Sequence, residues 1–151
     1  MISLATLPAS DNPLTVAYPA GLGRRLGAML YDALLIIAIW MATLLAWVVA
    51  NGGEAVVGLL VQMVLAAELL GFYLYFWSRQ GQTLGMTAWR IKLVDTEGRQ
   101  PTLRQLCVRL VTAPLSICSA GLGYLWFYIG DAKQTWHDRL SGTMVVHIPK
   151  A

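Results

Sequence analysis

Gly23-Arg24-Arg25-Leu26-Gly27-Ala28-Met29-Leu30-Tyr31-Asp32 is the stretch that decides how the chain is read. It sets an arginine pair at the mouth of an apolar run and then places an acid inside that run. From Leu26 to Ala50 the sole formally charged residue is Asp32. The run is long enough to cross a bilayer, for which a helix needs about 20 apolar residues. Arg25 and Asp32 are seven positions apart, so on a helix they share a face and lie roughly 10 Å apart along the axis, too far to touch. A carboxylate among apolar side chains is costly unless it faces protein or water, which makes Asp32 a candidate site by position alone.

The whole chain agrees with this start. Of its 151 residues 57% are apolar and 13% charged, with a mean hydropathy of +0.58, whereas a soluble domain carries about 25% Asp, Glu, Lys and Arg. An ordinary soluble domain is excluded, and the first expected partner is the lipid bilayer. The net charge of +3 is gathered beside the apolar runs and not along one polar face, so it speaks for topology and against a nucleic-acid partner. Cys107 and Cys118 lie in apolar surroundings without CxxC spacing and read as buried, reduced thiols. His137 and His147 lack a partner at zinc-ligand spacing, so no metal or cofactor is expected.

Outward from the opening stretch, residues 1–19 contain Pro8, Pro13 and Pro19 and no basic residue, and read as a flexible lead. The apolar run behind Arg24 and Arg25 is too long for a signal-peptide core, so it is expected to be an uncleaved first span, 26–50. A polar break without Lys or Arg, Asn51-Gly52-Gly53-Glu54, leads to a second span over 55–77. That span holds Glu68 near its middle, Gln62 about two turns earlier, and Tyr73, Tyr75, Phe76 and Trp77 crowded at its end like an interfacial belt.

After Trp77 come Arg79, Arg90, Lys92, Arg99, Arg104 and Arg109 against Asp95 and Glu97. With Arg24 and Arg25 on the same side of the hairpin, the positive-inside rule places the N-terminus and this segment in the cytoplasm. Alternation over Trp89–Val94 and again over Thr143–Ile148 predicts two strands, each the natural partner of the other. Between them Thr102-Leu103-Arg104-Gln105 predicts a capping box opening a basic amphipathic surface helix that Pro114 breaks. The apolar segment 103–129 is therefore broken, and two paths are open for it: a third, proline-kinked span, or a re-entrant hairpin. Lys133, Arg139 and Lys150 together with the strand pairing favour return, so both termini are expected in the cytoplasm. The expected fold is an all-α membrane protein with two full transmembrane helices, this broken segment and a small two-stranded β element. It forms one membrane domain over 20–148, and 149–151 is a tail.

Arg25, Asp32, and Asp138 within Gln134-Thr135-Trp136-His137-Asp138-Arg139-Leu140-Ser141-Gly142-Thr143 resemble the naming residues of the RDD family of small bacterial membrane proteins. Gly81-Gln82-Thr83-Leu84-Gly85, running on to Val94-Asp95 and Gly98, is similar to the family's middle motif, although Leu84 and Met86 stand where that pattern has a proline and a basic residue. The resemblance covers Ala20 to Ile148. It implies a multi-pass protein of the bacterial inner membrane, for which transport, and sodium/proton antiport in some members, has been suggested. Glu68 is not one of the naming residues.

From the residues, Asp32 and Glu68 are each about 10–14 Å inside their spans and are expected to share one layer. A carboxyl pair in low dielectric cannot ionise fully and can exchange a proton for a monovalent cation. Arg25, His137 and Asp138 would form the cytoplasmic mouth, supported by Arg24, Gln62 and Arg139. Two or three spans do not enclose a pathway, so exchange requires a homo-oligomer or a membrane-protein partner. The alternative is an adaptor whose buried charges brace a small bundle. An enzyme is not expected, since no nucleophile with a base, metal set or phosphate loop is present.

Overall fold

The computed structural model describes residues 18–55, 57–118 and 135–148. Helix α1 is Leu22–Ala50 and helix α2 is Leu59–Gln80, both long and apolar enough to cross a membrane. Helix α1 begins four residues before the expected Leu26, so Arg24 and Arg25 lie within its first turn. It stops at Asn51, whose Nδ2 donates to Trp47 O at 2.8 Å. Helix α2 begins four residues later than expected and runs three past Trp77, ending at Gly81 in the left-handed region (φ 67). There the Gly81 carbonyl accepts from Leu93 N at 2.7 Å, and a side chain would collide with the Leu93 carbonyl.

The rest of the chain caps one end of this pair. Short helix α3 (Leu84–Ala88) leads into strand β2 (Ile91–Asp95), and the expected turn follows, with Asp95 Oδ1 accepting from Glu97 N and Arg99 N at 2.8 Å. Helix α4 (Leu103–Cys118) opens on the expected capping box: Thr102 N donates to Gln105 Oε1 at 2.9 Å and Gln105 N to Thr102 Oγ1 at 3.4 Å. Helix α5 (Trp136–Ser141) and strand β3 (Thr143–His147) follow.

The β element is a three-stranded antiparallel sheet, not the expected pair. Strand β3 is central, with β2 on one side (Leu93↔Val145) and β1, Tyr18–Pro19, on the other (Pro19↔Val146). Pro19, read as part of the lead, is tolerated because an edge strand has a side that pairs with nothing. Residues 1–17 of the lead and the tail 149–151 lie outside the described residues.

Three further expectations change. Helix α4 does not break at Pro114 but continues four residues to Cys118; a proline removes one backbone donor, a loss that a helix can carry without ending. The remainder of the broken segment, 119–129, with Lys133 and Gln134, lies outside the described residues, so the choice between crossing and return falls there. Cys107 is exposed, because Leu106 takes the core-facing position one residue earlier and turns Cys107 outward; the Cys118 side chain lies outside the description. Trp77 is not interfacial but part of the core, with Ala20, Ala28, Met86, Ile91, Leu93, Leu106 and Val145. This core sits between the sheet and the near ends of α1, α2 and α4. Beyond Ile36, none of the described residues of α1 is buried.

Candidate functional site

Asp138 lies in the first turn of α5, at the third position of a capping box. Its carboxylate accepts from the N–H of Thr135, which turns it inward off the helix end. Two guanidiniums from separate helices meet it there. Arg25 Nη1 donates to Asp138 Oδ2 at 2.5 Å, and Arg109 Nη1 donates to Oδ1 at 2.6 Å and to Thr143 Oγ1 at 2.8 Å. Arg25 also donates through Nε to Ala20 O (3.0 Å) and through Nη2 to Val145 O (3.3 Å), joining β1, β3 and α1. All three charged side chains are buried, Asp138 completely. Burial pushes the Asp138 carboxyl up, but Arg109, then Arg25 and His137 outweigh it and hold it well below the usual carboxylate range.

His137 is buried beside this cluster, with Nε2 3.0 Å from Thr135 Oγ1 and 3.8 Å from Asp138 Oδ1. Burial and then the Arg109 charge lower its pKa to about 4, against a smaller opposing pull from Asp138. The ring is therefore neutral at pH 7. Arg109 further lies 5.6 Å over the Trp77 ring.

Asp32 has a different employment. Thr83 Oγ1 donates to its Oδ2 at 2.5 Å and Gly85 N to its Oδ1 at 2.9 Å. Thr83 is also the N-cap of α3, accepting from Met86 N at 3.1 Å. Gly85 fits because any side chain there would strike the Ala28 carbonyl and Asp32 itself. Asp32 thus fastens α1 to the loop after α2, at the level of the sheet and not deep in the helix pair.

Glu68 lies elsewhere. Its Oε1 accepts from Thr43 Oγ1 at 2.6 Å, and Thr43 is eleven residues past Asp32, about 16 Å along α1 at ~1.5 Å per residue. The two acids do not share a layer. The expectation measured Glu68 from Trp77 as if that residue marked the boundary, whereas Trp77 lies in the core near the level of Asp32. Glu68 Oε2 is buried without a hydrogen-bond partner among the described residues.

The structure therefore brings Arg25, His137 and Asp138 together, sets Asp32 beside them, and leaves Glu68 apart. Arg24, Gln62 and Arg139 are exposed and, among the described residues, join no cluster with these acids. Sequence reading missed Arg109, whose signal was its place on the Leu106–Leu110 face of α4, and Thr83, whose signal was its N-cap position before Leu84. It also missed Thr43, which carries no such signal. Among the described residues no set of three His, Cys, Asp or Glu side chains converges to hold a metal.

Under the sheet, where α1, α2 and α4 diverge, is a cavity of about 310 Å³. Arg25, Asp32, Arg109 and His137 stand at its polar edge, and its walls are apolar, including Met29, Leu69, Tyr73, Trp77, Leu110 and Ala113.

The chain is 31% identical over 88 residues to an uncharacterized protein of Rickettsia prowazekii (strain Madrid E), a match covering 56% of this chain and 49% of that protein. It is 26% identical over 139 residues to the uncharacterized protein YckC of Bacillus subtilis (strain 168), covering 89% of this chain and 88% of the relative. The chain thus spans about half the length of the first of these and most of the second. No solved structure matches it. The sequence model described as the RDD family matches residues 19–142, from the edge strand through the Arg25–Asp138–Arg109 cluster to the end of α5, and the chain belongs to that family.

Proposed function

We propose that the chain is a multi-pass protein of the bacterial cytoplasmic membrane that acts as a non-enzymatic adaptor, holding partner transmembrane helices, or further copies of itself, against α1 and α2. The observation that carries this reading is the contrast in cover. At the sheet end the charges answer one another within the chain, while beyond Ile36 the apolar faces of α1 are left open, with Leu44, Leu45 and Val49 exposed. Polar side chains between transmembrane helices act as glue, as Thr43 and Glu68 do between α1 and α2. Both termini face the cytoplasm in this reading. Every described Lys and Arg lies at the sheet end, and the Asn51–Glu54 turn carries none. A reporter active only outside the cytoplasm, fused to Ala151, should be silent.

The test of the adaptor role is the mass of the protein purified in mild detergent, where an assembly larger than one chain is expected. A strict monomer to which no partner attaches would end the reading. A second reading, cation/proton exchange, is favoured by the unpaired Glu68 oxygen alone, since the carboxyl pair it was built on is separated by about three turns. Sealed vesicles showing a sodium- or potassium-coupled pH change that Glu68→Gln abolishes would replace the adaptor reading with exchange.

A further inference from the structure

We propose that Arg24, Arg90 and His147 together hold the phosphate of an anionic phospholipid at the sheet end of α1. The inference rests on the membrane reading above, but not on whether α1 and α2 engage a partner. Strand pairing and helix packing bring these distant residues to one place. His147 stands opposite Ile91 in the sheet, and the carbonyl of the adjoining Arg90 accepts from Ile148 N at 2.9 Å. Trp89 lies against α1 at Gly27, where any side chain would collide with its ring, and Gly27 is one turn beyond Arg24. The charges feel one another accordingly: partial burial, then Arg24 and Arg90, lower the His147 pKa.

The described acids do not answer this charge. Asp138 holds Arg25 and Arg109, Asp95 and Glu97 hold Arg99, and Asp32 accepts from Thr83 and Gly85. Glu54 and Glu68 lie toward the opposite end of the helix pair. Arg24 and Arg90 are both exposed and, among the described residues, form no ion pair. Arg90 also has a positive φ of 52, a conformation that a glycine would take without strain. Two uncompensated guanidiniums suit the oxygens of a phosphate, and a neutral imidazole adds one N–H donor. The surroundings make that phosphate a lipid's. Arg24, Gly27 with Trp89 upon it, Tyr31 and Leu34 follow one another at helical spacing down one face of α1, and Tyr31 and Leu34 are exposed. Charge, indole, phenol and then alkyl is the order of a bilayer from headgroup to hydrocarbon. A soluble phosphate would use only the first of these. Two unanswered positive charges favour a headgroup with no cation of its own, such as phosphatidylglycerol, over an ethanolamine lipid.

The test uses the full chain in phosphatidylethanolamine vesicles holding a minor share of phosphatidylglycerol. The chain should stay with the vesicles in alkali, and its release there would overturn insertion and the site together. The protein is then extracted in mild detergent and its bound lipid counted by native mass spectrometry. Wild type should retain one phosphatidylglycerol in preference to phosphatidylethanolamine. Arg24→Gln and Arg90→Gly should each lower that retention about tenfold, the factor for one charge-assisted hydrogen bond. Arg104→Gln, which removes an exposed charge from α4, should leave it unchanged. Arg90→Gly also relieves the positive φ, so it should melt no earlier than wild type and its loss of lipid is not a loss of fold. Retention that survives Arg24→Gln and Arg90→Gly would overturn the proposal, as would an equal fall in Arg104→Gln, the mark of general surface attraction. Millimolar inorganic phosphate should not displace the lipid. Displacement would mean that the residues take a soluble anion, and the lipid assignment would fall.

Discussion

The two ends of the α1–α2 pair are built on opposite principles. At the sheet end, Asp138 alone gathers donors from α1, α4 and its own cap, and Asp32 ties α1 to the loop before α3. Toward the Asn51 turn polar contacts join the helices at Trp40 Nε1 to Leu65 O (3.0 Å) and at Thr43 to Glu68. Arg25, Asp32 and Asp138 thus fasten a cap onto two helices. A lone acid in an apolar helix is thus a poor guide to function until its depth is known.

The largest loss is expected from Asp138→Ala, which leaves two buried guanidiniums facing each other without their common anion. Removing one partner of a buried ion pair costs about 3–5 kcal/mol, so folded yield and thermal midpoint in detergent should collapse. A loss under about 1 kcal/mol would mean that solvent already reaches the cluster. Exchanging the charges of Arg25 and Asp138 in one double variant should restore only part of the loss, because an arginine at position 138 would then confront Arg109. Complete recovery would place Arg109 outside the network.

Acid should loosen the sheet end next. His137 has a folded-state pKa of about 4 against an ordinary 6.5, so the unfolded chain takes up the proton first. Its contribution is complete above about pH 6.5 and is lost as pH falls toward 4. At about 1.4 kcal/mol per pH unit, the loss is on the order of 3 kcal/mol. Asp138, whose pKa is depressed, contributes above its ordinary value of 3.8 and is lost only as pH drops below it, so the two phases separate. Stability measured from pH 8 to 4 should decline in this window in the wild type, and His137→Gln should flatten the curve. An unchanged decline would assign it to another group.

How much of this was legible follows the same division. The two long helices were plain from hydropathy, and the β2–β3 pairing and the Thr102–Gln105 box from period and cap chemistry, since these are local signals. Arg109 was assigned to a surface because a charge on an amphipathic helix ordinarily faces water, and only its tertiary partner Asp138 reverses that. The three-stranded sheet escaped notice because two residues, one of them Pro19, carry no strand periodicity. The shared layer of Asp32 and Glu68 was an inference about depth, and it failed with its reference point: Trp77 looks like a boundary aromatic in sequence and is a core residue in the fold.

A milder cut at the sheet end is Asp32→Asn. An amide can keep one of the two bonds but presents a donor where the carboxylate presented an acceptor, either toward Gly85 N or toward Thr83. The expected cost is about 1–3 kcal/mol, that of leaving a buried polar group mismatched. Under the adaptor reading this variant should melt earlier while its assembly mass stays that of the wild type. A variant of unaltered stability that has lost a cation-coupled pH change would make Asp32 a working acid and not a fastener.

The smallest effect on stability is expected at the other end. Glu68→Leu removes the bond from Thr43 and the unpaired oxygen together. An interhelical hydrogen bond in a bilayer averages about 0.6 kcal/mol, so the single chain should scarcely notice. Its association should notice more, because the Thr43–Glu68 pair fixes how α1 and α2 present their apolar faces to a partner. The variant is therefore expected to insert and to keep the wild-type melting profile of the sheet end, yet to shift toward the mass of one chain in mild detergent. If instead it retains the wild-type assembly and melts much earlier, Glu68 braces the α1–α2 pair internally, and the surface that meets a partner lies on another face of those helices.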